Sequence, residues 1–165
     1  MASHDALPHL NASGEAHMVS VSDKEPSMRR AVAEGRLLTR PDIVSLVKSG
    51  QAPKGDVLAV ARVAAIIAVK RTSEWIPLAH PILIAGVDVS ILLEEASFSV
   101  RVTVETVGQT GVEMEAMTGV SAALLTLYDM LKAKDRAMVI AGVRLMEKSG
   151  GRSGTFRRED ANYSE

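Results

Sequence analysis

Two adjacent stretches alternate apolar and polar residues, GVDVSILL (86–93) and FSVRVTVET (98–106). Val87, Val89, Ile91 and Leu93 share one face of the first, and Phe98, Val100, Val102 and Val104 share one face of the second. The link Glu94–Ser97 is short, so the pair predicts an antiparallel hairpin with one wetter face. MVIAGVRLMEK (138–148) predicts a last strand, and HMVSVS (17–22) alternates weakly enough to suggest a first one. MRRAVAEGRLLTR (28–40) is ambiguous and is read as an extended segment ending near Thr39.

Three stretches carry helical signals. PDIVSLVKSG (41–50) has Pro41 for its first turn and Gly50 for its stop. Asp56 suits the N-cap of a helix running to about Arg71, whose core, VLAVARVAAIIAV (57–69), is apolar nearly all round and demands partners on most sides. A third helix runs from TGVE to about Lys134, with Val120, Ala123, Leu124, Leu127 and Leu131 along one side. Thr110 and Glu113 have the spacing of a capping box at its start. Between the second helix and the hairpin lies SEWIPLAHPIL (73–83), where Pro77 and Pro81 bracket His80 and forbid a long helix.

Strands and helices in this order predict one α+β domain over residues 15–148, a mostly antiparallel sheet with helices packed on one face. A flexible tail is expected over residues 1–14, and a mobile, glycine-rich basic tail over 149–165.

Composition changes the picture by exclusion. The 165 residues are enough for one core, and with only 3% aromatic residues Val, Ile, Leu, Ala and Met must build it. The absence of cysteine excludes disulfides, thiolate metal sites and a cysteine nucleophile, and it fits a cytoplasmic protein. A net charge of −1 offers no global field for nucleic acid or acidic membranes. Residues 57–69 are shorter than the ~20 a bilayer span needs, and no signal-peptide pattern opens the chain. KSGGRSG is not a P-loop, and neither G-x-G-x-x-G after a strand nor H-E-x-x-H occurs. Three of the four histidines lie in the first 17 residues, which argues against a catalytic metal.

Polar residues near predicted helix ends remain. Lys54 precedes the second helix, where a lysine and free N–H groups can bind phosphate; a solvated lysine beside a turn glycine is the simpler alternative. Asp129 and Lys132 share a helical face, as a surface ion pair or as an acid–base pair. Glu115 complements the dipole of the third helix, and Met114 and Met117 read as core. His80 is either a packed core histidine or a titratable group on a rigid binding loop.

Taken together, KGDV (54–57), IPLAHP (76–81), TGVEMEAMT (110–118), LYDMLKA (127–133) and KSGGRSG (148–154) resemble the MoaC family, the cyclic pyranopterin monophosphate synthases of molybdenum cofactor biosynthesis. The resemblance spans roughly residues 9–158, in matching order and spacing. It implies a ferredoxin-like fold and a lyase that closes a cyclic phosphate on a cyclised dihydro-GTP, rebuilds its ring and expels pyrophosphate. It implies no cofactor or metal, and a homohexamer built as a trimer of dimers with sites at subunit interfaces. By resemblance, Asp129, Lys132 and Lys54 match catalytic positions. Leu78, Ala79, His80, Met114 and Glu115 match substrate contacts, and Glu113, Arg29 and Lys148 match polar positions near the pocket. The family loop often reads PLCHP where this chain has Ala79, and its helix often reads YDMCKA where this chain has Leu131. Neither departure removes a proton-transferring group. The competing readings are a catalytically silent nucleotide-binding paralogue and a structural oligomer whose basic tail touches nucleic acid.

Overall fold

The computed structural model describes residues 10–11 and 13–159. Among these the elements are β1 (Ser27–Leu38), α1 (Pro41–Lys48), α2 (Val57–Lys70), the single turn α3 (Thr72–Trp75), β2 (Gly86–Leu93), β3 (Ser97–Gly108), α4 (Glu113–Leu131), β4 (Val139–Ser149) and β5 (Phe156–Arg157). The sheet order is β2-β3-β1-β4-β5, with every neighbouring pair antiparallel. Setting aside α1, α3 and β5, the chain runs βαββαβ with β1 and β3 central, the ferredoxin-like arrangement.

The hairpin forms as its alternation demands. Val87 lies opposite Val104, Val89 opposite Val102, Ile91 opposite Val100 and Leu93 opposite Phe98, so the two apolar sets merge into one sheet face. β1 extends that face with Ala31, Ala33, Gly35 and Leu37. These inward residues are mostly small, which is why the strand is hard to see in the sequence. Small size is what the packing needs: a Cβ on Gly35 would stand 2.9 Å from the Leu124 side chain of α4. α4 lies across β1, β3 and β4, and it buries Val120, Ala123, Leu124, Leu127 and Leu131 as its periodicity predicts. α2 packs on α4 and β2, burying Val57, Ala61, Ala65, Ala68 and Val69. Its N-cap is Asp56, whose side chain accepts a hydrogen bond from the Ala59 N–H at 2.9 Å. Gly119 lets α2 and α4 approach over β3, because a Cβ there would meet Val69 at 2.8 Å and Val102 at 3.1 Å.

Three expectations are corrected. HMVSVS is not a strand: residues 17–22 run as irregular backbone and pair with no sheet edge. The first strand is the ambiguous segment 28–40, which takes the centre of the sheet. The capping box does not form. The N-cap of α4 is Val112 and no side chain caps it, so Glu113 is the first helical residue rather than the third. Val112 is buried, and that anchor sets the start of the helix. Finally, β5 adds a short strand beyond residue 148, pairing Phe156 with Lys148. The tail expected over 1–14 falls mostly outside the described residues.

Candidate active site

α4 organises the site residues into two poles. At its C-terminal end, Asp129 receives two lysines. Lys132 Nζ lies 2.7 Å from Asp129 Oδ1. Lys54 Nζ donates to Asp129 Oδ2 at 3.0 Å and to the Asp129 carbonyl at 3.1 Å. The Lys54 loop reaches this end of α4 because Gly55, at φ +89, turns the chain into α2. Both lysines, Lys132 foremost, hold the Asp129 carboxyl below the usual carboxylate range. All three side chains are about half exposed, Asp129 at 56%. Lys54 is thus neither free nor aimed at the start of α2. Two ammonium groups on one carboxylate make a cluster of net positive charge open to solvent, suited to an anionic substrate and to proton exchange with it.

The other pole lies at the N-terminal end of α4. The proline-bracketed loop brings Leu78, Ala79 and His80 to a cavity of about 490 Å³ shared with Met114, Glu115 and Glu113. His80 is not a packed core residue. It is half-buried, and its Nε2 donates to the Val19 carbonyl at 2.8 Å, which fixes the protonated nitrogen. Glu115 is only 3% exposed. Burial, with Glu113 adding repulsion, pushes its carboxyl up to about 7. Glu115 can therefore hold or release a proton near neutral pH. Met114 is exposed into the cavity rather than core, while Met117 packs against the core.

A second cavity of about 210 Å³ adjoins the first through Lys24, Thr110, Gly111 and Glu113. Arg29 and Lys148 line it. The Arg29 guanidinium donates to the carbonyls of Gly108 and Gln109 at 3.1 and 3.3 Å. Gly150 and Gly151, at φ +95 and +74, wrap around it, and a Cβ on Gly151 would collide with the guanidinium. The glycines of KSGGRSG are thus explained by an arginine more than a hundred residues earlier in the chain. Lys148 Nζ donates to Ser153 Oγ.

The structure brings each set together but keeps the sets apart: Glu113 and Asp129 stand at opposite ends of α4, roughly 24 Å apart at about 1.5 Å per residue. Lys24 and Arg152 line the second cavity and were not singled out in the sequence, where Lys24 sits in a polar loop with no pattern to mark it and Arg152 lies within KSGGRSG, read there only through Lys148. Leu131, one departure from the family pattern, is fully buried core, whereas Ala79 faces the His80 cavity. Among the described residues no cluster of three or more His, Asp or Glu could hold a metal ion, and no helix is long and apolar enough to cross a membrane.

The two poles carry the motifs of the resemblance, and comparison with known proteins agrees. The model of the MoaC family matches residues 18–151. A cyclic pyranopterin monophosphate synthase of Thermomicrobium roseum is 54% identical over 156 residues, covering 93% of this chain and 94% of its own. Proteins of the same name from Methylobacterium nodulans and Heliobacterium modesticaldum are 53% and 52% identical, each covering 94% of this chain and 99% of their own. A match over most of the chain, joined to a fold and a set of charged residues in the same order, settles the family: this chain belongs to the MoaC family.

Proposed function

We propose that the protein is a cyclic pyranopterin monophosphate synthase, converting a cyclised dihydro-GTP into cyclic pyranopterin monophosphate and pyrophosphate in molybdenum cofactor biosynthesis. The likeness to relatives of that name over nearly the whole chain carries this reading. The chemistry fits the two poles. A sugar hydroxyl oxygen forms a new bond to the α-phosphorus, and the bond from that phosphorus to the bridging oxygen breaks. Pyrophosphate leaves with the electron pair, and the hydroxyl proton must go to a base. Clustered cations stabilise the charge on the phosphates and on the leaving group. Ring rebuilding needs donors and acceptors of protons, supplied by Asp129, Lys132 and Lys54. His80, Leu78, Ala79, Met114, Glu115 and Glu113 hold the ring and sugar, and Arg29 and Lys148 meet phosphate oxygens.

Poles roughly 24 Å apart on one helix cannot grip one small molecule within a single chain. The reading therefore includes a composite site, in which the Asp129 pole of one subunit faces the His80 pole of another. An assembly of dimers into a hexamer supplies such pairings. The stripe Val60, Val63 and Ile67 on α2 supports it, since these residues stay exposed at helical spacing in the isolated chain. The reading places the enzyme in the cytoplasm, where its nucleotide-derived substrate would be made.

The test is direct. Purified protein is given cyclised dihydro-GTP, and pyrophosphate and the cyclic phosphate product are followed together. They are expected in equal amounts. Binding of the substrate with neither product would favour a silent nucleotide-binding paralogue instead.

A further inference from the structure

One position breaks the apolar row on the inner face of β3. Phe98, Val100, Val102 and Val104 are buried there, and the next inward residue is Thr106, only 1% exposed. A buried hydroxyl is costly unless it finds a partner. Thr106 Oγ1 donates to the carbonyl of Leu83 at 2.5 Å, 23 residues back in the chain.

Leu83 belongs to the segment that carries the chain from His80 into β2. Its side chain is 91% exposed, while Ile82 and Ile84 on either side pack against the core. Among the described residues, the Leu83 carbonyl is the only backbone group of residues 80–84 with a hydrogen bond. The next bond along the chain is that of the Ala85 N–H, which donates to the Glu105 carbonyl at 2.9 Å where β2 meets β3. Before His80, the Ala79 N–H donates to the Ile76 carbonyl at 3.0 Å. The His80 ring is tied to the Val19 carbonyl, at the head of an irregular strap of residues 19–24 whose far end Gln109 Nε2 holds at the Lys24 carbonyl. The direction in which the ring enters its cavity thus depends on where residues 80–83 are held. Pro81, its φ locked by the pyrrolidine ring, transmits that placement stiffly.

We infer that Thr106 is a positioning residue for the substrate-binding loop: its hydroxyl pins the Leu83 carbonyl and so holds His80 at the wall of the cavity shared with Met114 and Glu115. That the loop binds substrate rests on the functional reading above; that the hydroxyl orders the loop does not. Without the hydroxyl, the backbone of residues 80–84 is held only through the packing of Ile82 and Ile84. Substrate then binds the fraction of molecules whose loop is in place, and apparent affinity falls by that fraction. The bound complex is the same and turns over at the same rate.

The experiment compares the full-length wild type with Thr106→Val and Thr106→Ser by hydrogen exchange at the Ala85 amide, by melting temperature, and by steady-state kinetics with cyclised dihydro-GTP. Thr106→Val continues the valine row and keeps the shape of the side chain but not its donor. It should speed exchange at Ala85 and raise KM, each by about two- to tenfold, the worth of one neutral hydrogen bond, with kcat kept. Thr106→Ser should stay near the wild type in both. A merely structural residue would rank the variants the other way, because Thr106→Ser loses a buried methyl and Thr106→Val loses none. Equal Ala85 exchange in all three proteins would overturn the inference, as would a KM unchanged in Thr106→Val or a KM that follows melting temperature instead of the hydroxyl. A wild type that makes no product would sink the functional reading alone, and Ala85 exchange would still decide whether Thr106 holds the loop.

Discussion

Single residues in this protein are set by who stands next to them, and Glu115 shows this most clearly. In sequence it is a first-turn carboxylate beside a helix dipole. In the structure it is buried at the wall of a cavity, with Glu113 nearby, and its carboxyl titrates at about 7 instead of 4.5. The native state therefore keeps a proton that the unfolded chain has already released, so this group costs stability as pH rises from 4.5 to about 7. Glu115→Gln lacks that slope. Denaturant unfolding across this range should show the variant gaining on the wild type by about 1–3 kcal/mol toward the upper end. A difference that stays constant with pH would refute the burial argument. The opposite case is Lys132, whose bond to Asp129 is exposed and adds little to stability. Lys132→Ala should abolish turnover while the melting temperature and sedimentation stay unchanged. Near-normal turnover would remove Lys132 from the chemistry.

At the scale of elements, small residues decide how closely the layers meet. Gly119 sits where α2, α4 and β3 converge, and any side chain there must displace Val69 or Val102. Gly119→Val gains slightly in helix propensity but overpacks the contact, for a net loss on the order of 1–3 kcal/mol by chemical denaturation. An unchanged midpoint would mean that α2 can shift freely, against its close fit. The same crowding explains what the sequence left obscure. β2 and β3 carry large residues on their inner face, so their alternation is plain. β1 carries Ala31, Ala33 and Gly35 beneath α4, so its alternation fades although it is a central strand. The weak alternation of 17–22 misleads for the converse reason: Val19 and Val21 face a cavity, not a sheet.

For the whole molecule, the separation of the two poles makes a prediction that a self-contained site does not. Lys132→Ala disables the Asp129 pole and Lys148→Ala the basic pole. With substrate held well below KM, each variant alone should be nearly inactive. If sites are shared across a two-fold interface, a mixed dimer has one site carrying both lesions and one intact. Unfolding and refolding the two variants together should therefore recover up to about a quarter of wild-type activity. No recovery, with mixed oligomers demonstrated by mass spectrometry, would place both poles in one chain's site and demand a large rearrangement of α4.

The sequence by itself determined the elements whose signals are local: the β2–β3 hairpin, the Asp56 cap and length of α2, the buried stripe of α4, and the pairing of Asp129 with Lys132 one helical turn apart. It also carried the family motifs in order, and with them the choice of His80, Glu115 and Lys54. These are legible because backbone periodicity and side-chain spacing act over a few residues. Only the tertiary structure decided that Lys54 grips Asp129, that Gly150 and Gly151 cradle Arg29, and that the strap from Val19 to Lys24 binds the His80 loop. It alone brought Lys54 to one end of α4 and the His80 loop, Arg29 and Lys148 to the other. Such contacts join segments far apart in the chain. They depend on how the sheet and helices pack, where charge, cavity and burial are shared among residues that no local pattern connects.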